Sequence, residues 1–159
     1  MNNLLNYVIY NSIFKNKIDF SIKPNMINQI PNDCFGAFVS VKRSKSQTLK
    51  EWPENIHGCI GNWSNDYKSK TKDELFEIMK NVGNSACNSD SRKSYFKPIY
   101  LDSQAYFEVD FMMLPIMSIN SKTGIMSNGE VFKNENYGII VENGSQKATY
   151  LPKVFSNMD

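Results

Sequence analysis

The chain has one histidine, His57, and three cysteines, Cys34, Cys59 and Cys87, in 159 residues. An odd number of widely spaced cysteines excludes the disulfide framework of a small secreted domain. No Cys-x-x-Cys pair occurs, and a zinc site would need all three cysteines and the histidine, so no metal and no cofactor are expected. No apolar run approaches the roughly 20 residues of a membrane span. The N-terminus has neither a basic start nor a small-residue cleavage site, so it does not read as a secretory signal. A reducing compartment is expected, cytoplasmic or nuclear. Charge of one sign is also scarce: the net charge is +2. Acidic and basic residues are interspersed, and no basic stripe carries aromatics, which argues against nucleic acid as a partner. The Lys42-Arg43-Ser44-Lys45 cluster reads as a solvated loop. No glycine-rich phosphate loop and no Ser-His-Asp set is present.

Apolar material is not scarce. Hydrophobic residues make up 41% of the chain and aromatics 13%, enough for a packed core in a single domain over residues 1–159, with room for a smaller lobe. Leu4, Leu5, Val8, Ile9 and Ile13 recur at helical spacing and predict a helix over 3–15. Phe35, Ala37, Val39 and Val41 share one face of a strand over 35–41. A polar stretch over 42–54 reads as a loop, and 56–61 as the next short strand. Thr71-Lys72-Asp73-Glu74 is a capping box that starts a helix, with Leu75, Met79, Val82 and Ala86 as its buried stripe. Residues 105–113 alternate cleanly and predict a strand that Leu114-Pro115 ends. Ile139-Ile140-Val141 precedes Asn143-Gly144, a hairpin signal, and 148–151 reads as the returning strand. This order is α+β rather than alternating βαβ.

Several of these elements are similar to those of the AMMECR family. Residues 34–41, CFGAFVSV, resemble its G-x-F-V-T-L strand. His57-Gly58-Cys59-Ile60-Gly61 resembles its hallmark R-G-C-I-G. Asp90-Ser91-Arg92, with Phe96 and Pro98, resembles D-P-R-F-x-P. Phe107-Glu108-Val109 and Leu114-Pro115 resemble I-E-V-S-V-L-x-P. Tyr137-Gly138-Ile139-Ile140-Val141 and Leu151-Pro152-Lys153-Val154 resemble H-G-I-I-V and L-P-x-V. The pieces follow one another in family order over most of the chain. The resemblance implies a central antiparallel sheet flanked by helices, with a smaller lobe and a cleft between them. It implies no particular reaction. Bacterial and archaeal members are associated with a Memo-like protein and a radical-SAM protein, which makes such a protein the expected partner. Two departures stand out. The hallmark arginine is His57 here, so a permanent cation becomes a group mostly neutral near pH 7. Family members also continue into a further helical segment beyond L-P-x-V, so an exposed apolar patch or self-association is expected in its place.

The chemistry-bearing candidates gather around the hallmark strand. Period two places His57 and Cys59 on one side, with Cα atoms about 6.5 Å apart, and Ile56 and Ile60 on the other. A functional reading makes Cys59 a reactive thiol that His57 activates. A packing reading makes Cys59 a small buried hydrophobe, and it is preferred because neighbours on one strand are rarely aligned for proton transfer. Gly58 and Gly61 leave space where a ligand or another backbone can approach. Asp90 and Arg92 either anchor an anionic ligand or form an ion pair that fixes the loop after the helix. Glu108 shares a strand face with Asp110 and completes the candidate ligand set. Trp52 and Trp63 flank the hallmark strand. Three classes remain open: a ligand- or peptide-binding module, an enzyme with Cys59 as its thiol, and a noncatalytic interaction partner.

Overall fold

The computed structural model describes residues 27–43, 56–91, 105–133 and 137–152. The expected helix over 3–15, Trp52, Arg92, Phe96, Pro98, Lys153 and Val154 lie outside them. Among the described residues the elements run β1 (Cys34–Arg43), β2 (Ile56–Trp63), α1 (Lys72–Asn88), β3 (Ala105–Met113), β4 (Ile139–Asn143) and β5 (Gln146–Tyr150). This is a mixed α+β composition with antiparallel sheets. The chain divides into two compact units, Met1–Leu114 and Pro115–Asp159.

The first unit holds a three-stranded sheet in the order β2-β1-β3, antiparallel throughout. Its central strand is β1. Ala37, Val39 and Val41 are fully buried and face α1, where they meet Leu75, Phe76, Met79, Val82 and Ala86. Phe107 from β3 joins them, with Ile60, Val109 and Phe111 packed around the rim. Strand β1 runs further than expected, because Lys42 and Arg43 continue the ladder opposite Tyr106 and Ala105. The apolar pattern stops at Val41, but the backbone pairing does not need it.

Helix α1 begins where its sequence says it should. The Thr71 hydroxyl accepts from the Glu74 N–H at 3.2 Å, and the Glu74 carboxylate accepts from the Thr71 N–H at 2.8 Å. Both halves of the capping box are therefore present. The Thr71 N–H bond, with a second from the Thr71 hydroxyl to the same carboxylate at 2.9 Å, holds the Glu74 carboxyl below its ordinary pKa. The buried stripe includes every expected position and adds Phe76, Gly83 and Cys87.

In the second unit β4 and β5 form a hairpin in which Asn143 pairs Gln146. The two loop residues are thus Gly144 and Ser145. Gly144 has φ +60°, and Ser145 is not in the positive-φ region, which is the pattern of a type II′ turn with glycine first. Glu142 and Lys147 pair across the strands at 2.7 Å. Large apolar side chains are exposed in this unit, among them Ile125, Val131 and Val141. No helix among the described residues is long and apolar enough to cross a membrane.

Candidate functional site

The sheet face turned away from α1 carries the polar residues. Ser40 pairs Cys59 of β2 on one side and Glu108 of β3 on the other. Strict alternation then sets all three in one cross-strand row. The Ser40 hydroxyl donates to Cys59 Sγ at 3.2 Å. Lys42, two residues along β1, donates from Nζ to Glu108 Oε2 at 2.9 Å. This ion pair is mostly withdrawn from water, with side-chain exposures of 17% and 26%, so its charge is less screened than that of a surface pair. Ser40 itself is buried, and Cys59 is half-buried.

One row along, the face becomes aromatic. Phe38 stacks on Trp63 with ring centroids 5.9 Å apart. Gly61 lies under the Phe38 ring: a Cβ there would stand 2.4 Å from its Cδ1. The space at Gly61 is thus occupied by an aromatic ring of the same domain. The Trp63 indole N–H is buried without a hydrogen-bond partner.

Gly58 faces the other way, toward α1. A Cβ at this position would be 2.0 Å from the Ala86 carbonyl oxygen and 3.0 Å from Asp90 Cβ. The close backbone approach expected of this glycine is that of the helix. Just beyond the helix end, the Asp90 carboxylate accepts the Cys59 N–H at 3.0 Å. Strand β2 is an edge of the sheet, and an edge amide left open is a template for unwanted pairing. Asp90 closes it with a charge-assisted bond. The H-G-C-I-G and D-S-R motifs therefore meet through the backbone of one and the side chain of the other. Arg92, the expected companion of Asp90, lies outside the described residues.

His57 lies at an irregularity. Between Val41 and Lys42 of β1 the register steps from Gly58 to Ile56. Strand β2 advances two residues against one, and His57 is the extra residue of a β-bulge. Alternation is broken at such a point, so period two does not carry a side-chain direction from Cys59 back to His57. The His57 side chain is itself outside the described residues.

None of the three cysteines is in a disulfide. Burial pushes the Cys87 thiol up to about 12. Desolvation, helped by the nearby Asp33 charge, also raises Cys34. Neither is placed to act as a nucleophile near neutral pH. No group of three or more His, Cys, Asp or Glu side chains suited to a metal occurs among the described residues. Sequence reasoning named Cys59 and Glu108 but missed Ser40 and Lys42, which lie between and beside them on the central strand. The signal was present: Ser40 is a lone hydroxyl in an apolar strand, in register with the hallmark cysteine.

These features define an α+β module with a helix on one sheet face and a row of mixed polar and aromatic residues on the other. The AMMECR1 family model matches residues 7–159, and the chain belongs to that family. No curated protein and no solved structure matches it.

Proposed function

We propose that the chain is a binding module for a small polar ligand or a peptide segment, taken on the sheet face around β2. The observation that supports this reading is the cross-strand row of Cys59, Ser40 and Glu108, with Lys42 paired to Glu108 beside it. A carboxylate and an ammonium held together in a poorly hydrated setting offer a donor and an acceptor at fixed spacing. The adjoining Phe38–Trp63 stack offers a flat apolar wall. Such a combination of apolar surface and a few oriented polar groups is what small-ligand sites use. The test is a screen of carboxylate-, amine- and peptide-bearing compounds by thermal shift and NMR on the full chain. Hits should lose binding in Lys42→Ala and Glu108→Ala variants that remain folded. Binding unchanged in both variants would remove this face from consideration.

A second reading, that Cys59 is a reactive thiol, has its own supporting observation. The Ser40 hydroxyl donates to Sγ, and a donor to sulfur favours the thiolate. Alkylation near pH 7 separates the two readings. A nucleophilic Cys59 reacts with iodoacetamide much faster than a free thiol does; a packing cysteine reacts only as the protein opens.

A further inference from the structure

Far from the polar face, two sulfur atoms meet at the end of the sheet. Cys34 opens β1 and Met113 closes β3, and the two residues are register partners. Cys34 Sγ lies 3.1 Å from Met113 Sδ, with the thiol as donor. The Pro31 and Asn32 carbonyl oxygens stand further off, each at 3.5 Å. The pair is asymmetric in access. Cys34 is completely buried, whereas Met113 is 48% exposed. Backbone bonds hold the corner in place: the Leu114 N–H donates to the Asp33 carbonyl at 2.8 Å, and the Lys70 N–H to the Cys34 carbonyl at 2.7 Å.

We infer that Met113 is a site of reversible oxidation by hydroperoxides, and that the Cys34 thiol holds the resulting sulfoxide in place. A Met113 Sδ lone pair attacks the distal oxygen of the hydroperoxide. The S–O bond forms as the O–O bond breaks, and the departing oxygen leaves with the proton as water or alcohol. Sulfur is oxidised by two electrons and the peroxide is reduced by two. Ordinarily this change harms packing, because an apolar thioether becomes a polar group. Here the new oxygen forms on the exposed side of the sulfur, and rotation about the side-chain bonds turns it to a thiol that is already a donor to the same sulfur. A sulfoxide oxygen is a far better acceptor than a thioether, so the contact survives in altered form. Burial keeps Cys34 protonated, so it remains a donor and is itself shielded from the oxidant. Met113 is the last residue of the first unit's sheet, directly before the Leu114–Pro115 boundary between the two units.

The experiment treats the full chain with hydrogen peroxide and follows oxygen addition at each methionine by peptide mass spectrometry. Met113 should be modified several-fold faster than Met112, its half-buried neighbour, and Met126, which is buried. Melting temperatures of reduced and oxidised protein are then compared in wild type, Cys34→Ser and Cys34→Ala. Wild type and Cys34→Ser retain a donor and should lose little on oxidation. Cys34→Ala should lose clearly more. Equal rates at Met113 and Met112 would overturn the site. An equal loss on oxidation with and without a donor at position 34 would overturn the role of the thiol. Should Cys34→Ala not fold, Cys34→Val takes its place in the comparison. Methionine sulfoxide reductases should restore the original mass, and failure to do so would overturn reversibility.

Discussion

Gly58→Ala tests the join between the hallmark strand and the helix. The added methyl carbon would lie 2.0 Å from the Ala86 carbonyl oxygen and 3.0 Å from both Ala86 C and Asp90 Cβ. An ordinary contact needs roughly 3.4 Å or more. The helix backbone must therefore withdraw by more than an ångström from β2, and backbone cannot rotate aside as a flexible side chain does. Overpacking of this kind costs about 1–3 kcal/mol. Withdrawal also stretches the 3.0 Å bond from the Cys59 N–H to Asp90, and a hydrogen bond to a charged group contributes about 1.5–3 kcal/mol. The two effects share one displacement and do not add in full, so a loss of about 3 kcal/mol is expected. For a chain of this length that corresponds to a fall in Tm of about 6–12 °C. Urea unfolding followed by circular dichroism measures it, with Asp90→Ala and the double variant completing a cycle. The Asp90→Ala penalty should shrink in the Gly58→Ala background, because the bond is already weakened there. A Gly58→Ala protein within about 0.5 kcal/mol of wild type would refute the reasoning, since the helix would then have no need of that space.

Other expectations follow from single contacts. Thr71→Ala removes the hydroxyl half of the capping box and should cost about 1 kcal/mol in the same urea titration. Because the Glu74 carboxyl is held below its ordinary value of 4.5, the stability it contributes is present above that value and is lost as pH falls below it; Glu74→Gln should flatten this acid limb. Cys87 behaves oppositely. Its thiol is raised from 9.0 to about 12, so the associated stability is complete below pH 9 and falls as pH rises from there toward 12, with a limiting slope of about 1.4 kcal/mol per pH unit. Cys87→Ala should remove that alkaline slope in pH-dependent melts. Under native conditions Cys34 and Cys87 should resist iodoacetamide while Cys59 is modified first, as read by mass spectrometry; simultaneous labelling of all three would contradict their burial. Val131→Asp and Val141→Lys, at exposed apolar positions, should reduce any self-association seen by light scattering.

Local signals in the chain were enough for the parts of the fold that depend on near neighbours. The capping box at Thr71, the helical stripe from Leu75 to Ala86, the alternation over 105–113 and the glycine turn at Gly144 each involve residues within a few positions of one another. Steric and hydrogen-bonding rules act directly at that range. The family, too, was legible, because its motifs are short and ordered. What lay beyond the sequence was everything set by pairing between distant segments. Nothing within His57-Gly58-Cys59-Ile60-Gly61 says that Gly58 yields its space to the Ala86 carbonyl and Gly61 to the Phe38 ring. Nor does it say that Asp90 takes the Cys59 amide. The bulge that puts His57 out of register arises from β1 and β2 together, and a strand read alone looks regular through it. Ser40 and Lys42 entered the candidate site only when the register set them beside Cys59 and Glu108. A side chain's neighbours across a sheet are chosen by register, and register is a property of two strands at once.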